Sequence, residues 1–132
     1  MVDRQGVRVR KPITGAVALV GSPDFERQDF VERVTYLLPE EFAVVGFGTS
    51  SGVNKWVKDT ADHHGRRYIR CAPQWHIFGN QARLFATRKL VNSCNGVVIF
   101  SATPTTTIRN VRKMVRKRGG FIIEILDNLT TE

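Results

Sequence analysis

Residues 41–54, EFAVVGFGTSSGVN, limit the folds open to this chain more than any other stretch. Positions 42–47 form a continuous apolar run rather than an alternating one, which suits a strand buried on both faces and hence a parallel sheet. The run gives way to Gly48, Thr49, Ser50, Ser51 and Gly52. The two glycines permit tight backbone conformations, and the small residues between them leave N–H groups and hydroxyls unhindered. Where such a loop opens a helix, those N–H groups and the helix dipole form a ready site for an anion such as phosphate. No obvious catalytic signature elsewhere in the chain competes with it.

The flanking sequence repeats the pattern. Residues 14–21 (TGAVALVG) read as a first strand, 67–71 (RYIRC) as a shorter third, 96–100 (GVVIF) as a fourth and 121–126 (FIIEIL) as a fifth. Apolar positions at helical spacing fill the gaps. Asp24 is a candidate cap for a helix carrying Phe25, Phe30, Val31, Val34, Leu37 and Leu38 and stopped by Pro39. Further helices are predicted over 53–64, with Trp56, Val57, Thr60 and Ala61 inward, over 81–91 and over 107–118, whereas 72–79 reads as an aromatic-rich loop.

Alternating short apolar strands and helices imply a single three-layer Rossmann-like α/β domain over residues 13–132, with a mainly parallel sheet of about five strands. In such sheets ligands sit beyond the carboxyl ends of the strands, where strand order reverses. That rule selects the loops 21–24, 48–54 and 101–106.

The length of 132 residues suits one domain, and 42% hydrophobic with 24% charged residues excludes wholesale disorder. Residues 1–12 set Arg4, Arg8, Arg10 and Lys11 against Asp3 and read as a basic flexible arm. The net charge of +8 and a pI near 10.2 permit contact with nucleic acid, an acidic protein or a phosphorylated ligand, and choose between none of them. No apolar run approaches a membrane span, and residues 17–20 are too short for a signal-peptide core, so a cytoplasmic location without membrane contact is expected. Cys71 and Cys94 are too few and too far apart for a zinc pattern or disulfide framework and read as buried free thiols. His63, His64 and His76 lack ligand spacing, so neither a metal nor a cofactor is expected.

Several segments carry two readings. The 48–52 loop lacks the Gly-Lys-Ser/Thr ending of a Walker loop and breaks the G-x-G-x-x-G fingerprint, so its glycines serve either the turn alone or phosphate binding. SATPTTT (101–107) repeats the strand-to-helix geometry, and Ser101, Thr103, Thr105 and Thr106 can cap the helix or touch a ligand. The helix over 107–118 gathers Ile108, Val111, Met114 and Val115 on one side and Arg109, Arg112, Lys113 and Arg116 on the other. Its basic stripe is a solvated face or a nucleic-acid surface. Trp75, His76 and Phe78 form an aromatic wall that packs a loop or stacks on a base. No two carboxylates are placed as a general acid and base.

In their order, these motifs resemble the SLOG superfamily, the Rossmann-like group that includes the lonely-guy phosphoribohydrolases and the DNA-processing protein A core, and within it the YspA-like branch. That branch has a first strand ending in Gly-Ser, a Gly-Gly-Ala-Arg-Gly-Ala-Asp loop, a Trp-x-x-x-Gly region and a Gly-Thr helix start. Gly21 and Ser22 stand at the first place and GTSSGVN (48–54) at the second, with Asn54 for the terminal Asp. Trp75 and Gly79 stand at the third, and Thr105 and Thr106 where Gly-Thr is usual. The family's Arg-Asn is replaced by Ala86 and Thr87, and Ile108 and Arg109 lie where the lonely-guy catalytic Glu belongs.

The resemblance implies a pocket for a nucleotide or nucleotide derivative, and the departures from the lonely-guy pattern point to binding without catalysis. Gly21, Ser22, Gly48, Thr49, Ser50, Ser51, Gly52 and Asn54 would lie on one side of the ligand. Ser101, Thr103, Thr105 and Thr106 would close the other, with Trp75 or Phe78 near a base. It also implies a homodimer or higher homo-oligomer. Two alternatives remain open. One is a nucleic-acid module using the N-terminal arm and Arg109, Arg112, Lys113 and Arg116. The other is a nucleotide N-glycosidic hydrolase drawing on Asp24 or Glu26.

Overall fold

A computed structural model of the chain describes residues 15–49 and 52–126. The basic arm, Ser50 and Ser51 lie outside the described residues. Five strands, β1 (Gly15–Gly21), β2 (Phe42–Gly46), β3 (Tyr68–Arg70), β4 (Gly96–Ser101) and β5 (Phe121–Leu126), form one sheet in the order β3-β2-β1-β4-β5. Every neighbouring pair is parallel. The helices are α1 (Gln28–Leu37), α2 (Gly52–His63), a short α3 (Trp75–Phe78), α4 (Ala82–Asn92) and α5 (Thr106–Arg118). This is a Rossmann-like three-layer α/β domain.

Each central strand buries both faces, as its unbroken apolar run requires. Ala16, Ala18 and Val20 of β1 pack with Val97 and Ile99 of β4 under Leu90 of α4 and Ile108, Val111 and Val115 of α5. Val17 and Leu19 face the opposite way, with Val98 and Phe100, against Val31 of α1 and Val53 and Val57 of α2. The domain therefore has an α1/α2 layer and an α4/α5 layer on opposite faces of the sheet. Cys71 and Cys94 are free and buried, and burial raises the pKa of both thiols.

Two local expectations need correction. Asp24 does not cap a helix: α1 begins at Gln28, with Arg27 at the cap position and no side-chain cap bond. The intervening Phe25 is instead drawn into the core, 1% exposed, with its ring 5.5 Å from that of Phe100. The 72–79 segment is not all loop, because 75–78 turn once as α3 and a 3-10 turn (Gly79–Gln81) leads into α4. A tilted contact between the Phe78 and Phe85 rings, 4.6 Å between centres, holds that turn to α4.

Tyr68 on β3 supplies a pH-dependent element. Its hydroxyl is buried without a hydrogen-bond partner among the described residues, and burial, followed by the nearby Cys71, pushes its pKa up to about 12. Between pH ~10 and that value the unfolded chain ionises while the folded one stays protonated, so stability falls as pH rises. Tyr68→Phe is expected to flatten the alkaline limb of a stability-against-pH curve measured by urea unfolding. An unchanged limb would contradict the assignment.

Candidate functional site

The strand order reverses between β1 and β4, and a cavity of about 610 Å³ opens beyond the carboxyl ends of these strands. Its walls come from the β1–α1 turn (Gly21, Ser22, Pro23), the β2–α2 junction (Thr49, Gly52, Asn54) and the start of α5 (Thr105, Thr106, Thr107), with Arg83 from α4. Two long helices thus begin at one cavity, each with N–H groups that lack partners within its own helix.

The α5 terminus is set by chain chemistry. Thr105 has extended backbone and accepts a hydrogen bond from the Ile108 N–H at 3.2 Å, as an N-cap should. This bond occupies the Ile108 amide and leaves those of Thr106 and Thr107 without intrahelical partners. Thr105→Ala is expected to lower stability by about 1 kcal/mol in urea unfolding. A change near zero would mean that the cap is dispensable.

The opposite wall depends on close packing. A Cβ on Gly21 would lie 2.4 Å from a Val53 methyl, so only glycine lets β1 end this close to α2. Gly48 has a φ of 64°, the left-handed region that glycine enters without strain, and turns the chain from β2 toward α2. Asn54 donates from Nδ2 to the Thr49 hydroxyl at 3.1 Å. Its Oδ1 is buried with no partner among the described residues, leaving one acceptor at the cavity wall.

Of the residues expected to bind a ligand, Gly21, Ser22, Thr49, Gly52, Asn54, Thr105 and Thr106 come together around this cavity. Four do not line it. Gly48 shapes the turn behind it, and Ser101 is buried at the end of β4. Thr103 donates its backbone N–H to Asp24 at 3.3 Å. Trp75 lies outside the lining, 53% exposed, with the Arg83 guanidinium 5.7 Å from its ring centre. Ser22 has a structural task as well: its hydroxyl is buried and accepts the Ala102 N–H at 3.0 Å, tying the β1 turn to the β4–α5 turn.

Arg83 was absent from the sequence expectation. It is the one basic side chain among the described lining residues, and no Asp or Glu is among them. It lies 18 residues from the nearest predicted binding loop, 101–106, and the docking of α4 beside α5 brings it to the cavity. A lone arginine opening a helix carries no local signal of such a role.

Asp24 stands beside the site without lining it. Hydrogen bonding, chiefly from the Thr103 hydroxyl and then from that of Ser22, holds its carboxyl below the usual carboxylate range. An ionised carboxylate engaged in this way accepts hydrogen bonds and does not serve as a general acid near neutral pH. Among the described residues no group of three or more His, Cys, Asp and Glu could hold a metal ion, and no helix is long and apolar enough to cross a membrane.

Family models, curated proteins and solved structures give no match to the chain.

Proposed function

We propose that the chain binds a nucleotide or nucleotide derivative in the cavity between β1 and β4, and that it binds without cleaving. One observation carries this reading: the α2 and α5 N-termini and Arg83 converge on a cavity with no carboxylate among its described lining residues. Backbone N–H groups, two helix dipoles and a guanidinium all favour an anion, and phosphate matches them in charge and oxygen geometry. The Asn54 Oδ1, without a partner among the described residues, would accept from a donor such as a ribose hydroxyl or an exocyclic amine. A ligand that is anionic at one end and a donor at the other meets both demands. The resemblance to the SLOG superfamily points the same way.

The absence of a carboxylate from the described lining favours binding over glycosidic cleavage, which needs a positioned acid or base. Isothermal titration against mono-, di- and cyclic nucleotides and ADP-ribose tests the proposal. Saturable heat with at least one member is expected, together with a raised melting temperature. No heat and no thermal shift across the panel would reject it, and release of free base from a bound nucleotide would restore the hydrolase alternative.

A further inference from the structure

Charge is divided between the two helical layers. Residues 22–62, which supply α1 and α2, hold eight acids against four bases. From position 63 to position 123 the sequence has no Asp or Glu, yet this stretch holds twelve of the chain's 20 Lys and Arg. Nine of the twelve, from Arg83 to Arg118, belong to α4 and α5, which pack on the face of the sheet away from α1 and α2, whereas Arg66 donates to the Tyr36 and Pro39 carbonyls at the end of α1.

The α4/α5 face is grooved and carries exposed rings. Arg88 of α4 and Lys113, Lys117 and Arg118 of α5 line a second cavity of about 500 Å³ between the two helices. Arg88 also lies 5.9 Å from the ring centre of Phe85, which contacts the Phe78 ring. Phe85 and Phe78 are 36% and 41% exposed and line, with Lys89, a separate cavity on the flank of α4, which adjoins the groove through Arg88. Arg112, one residue of the expected basic stripe, instead pairs with Glu124 at 2.6 Å. Lys113 of that stripe turns toward the groove, and Arg88, which lines the groove and lies beside Phe85, joins the basic residues to the exposed rings.

We infer that the α4–α5 groove binds single-stranded nucleic acid, its phosphates following Arg88, Lys113, Lys117 and Arg118 and a base stacking at Phe85 and Phe78. Charge alone fits any polyanion. The rings select a strand whose bases are unpaired, because a duplex keeps its base faces stacked internally and a run of Asp and Glu has no aromatic face to offer. This surface is separate from the nucleotide cavity, and either can fail without the other.

The test is fluorescence anisotropy with labelled dT20 and U20 strands across a salt series, using the full chain. Four phosphate contacts predict a slope of log K against log salt of roughly −3, at about −0.7 per contact. Lys113→Gln with Lys117→Gln should bring the slope toward zero by about 1.4. Phe85→Leu keeps the apolar packing but removes the ring, and should weaken binding by about fivefold or more at an unchanged slope. The dT20 and U20 arms distinguish DNA from RNA. No saturable binding at 50 mM salt, on the order of conditions where such contacts are strongest, overturns the inference. So does equal affinity for a duplex or for polyglutamate, or a Phe85→Leu protein that binds like the parent.

Discussion

Phe25→Ala is expected to lower stability by about 3–5 kcal/mol, the range for removing a buried aromatic ring and leaving its cavity. For a domain of this size, that corresponds to a fall of roughly 10–20 °C in melting temperature. Phe25 is 1% exposed in a turn between β1 and α1, and its ring packs on Phe100 of β4. It therefore fastens the β1–α1 turn, which supplies Gly21, Ser22 and Pro23 to the cavity, to the strand on the other side of the switch point. The neighbouring Arg27–Asp29 pair, at 3.0 Å, cannot substitute for it. Both side chains of that pair are substantially exposed, and exposed pairs contribute about 0–1 kcal/mol. Asp29→Asn should accordingly leave the melting curve nearly unchanged. If Phe25→Ala cost less than about 1 kcal/mol by urea unfolding, the turn would be held by something other than this ring.

Arg83→Glu is expected to have the largest effect on ligand affinity. Hydrogen bonds to charged groups contribute about 1.5–3 kcal/mol, so losing the guanidinium alone predicts a loss of roughly 10- to 150-fold, with the new carboxylate adding repulsion. The cavity has no second basic side chain among its described lining residues to compensate. Arg83→Lys should fall between, since it keeps the charge and loses the planar fork. Arg83 is exposed, so neither change should move the melting temperature of the unliganded protein appreciably. Nucleotide affinity that survives Arg83→Glu within twofold, measured by titration calorimetry, would place the ligand's anion elsewhere.

The sheet was legible because its signal is local. Runs such as AVALV in β1 and GVVIF in β4 are buried on both faces and so are apolar at every position, and their boundaries match within one or two residues. The loops at the strand ends were legible for the same reason, since Gly21, Gly52, Thr105 and Thr106 follow directly from strand-to-helix junctions. What the sequence concealed depends on contacts between distant elements. Phe25 fitted a helical period, but its burial against Phe100 pulls it out of α1. Asp24 looked like a cap, yet it meets Thr103, 79 positions away. Arg83 and the α4–α5 groove require knowing which helices lie side by side. Arg112 looked available until β5 placed Glu124 beneath it.

The proposed site holds an anionic nucleotide between the α2 and α5 N-termini. A ¹⁵N–¹H correlation spectrum of the full chain, titrated with each of the mono-, di- and cyclic nucleotides and ADP-ribose in turn, tests it most directly because it reports each amide separately. Saturable shifts are expected to cluster at Gly21, the 52–54 amides and the 106–108 amides, with an Arg83 side-chain response and little change along α1. Shifts confined to Lys113, Lys117 and their neighbours in the α4–α5 groove, or no saturable shifts at all, would contradict it.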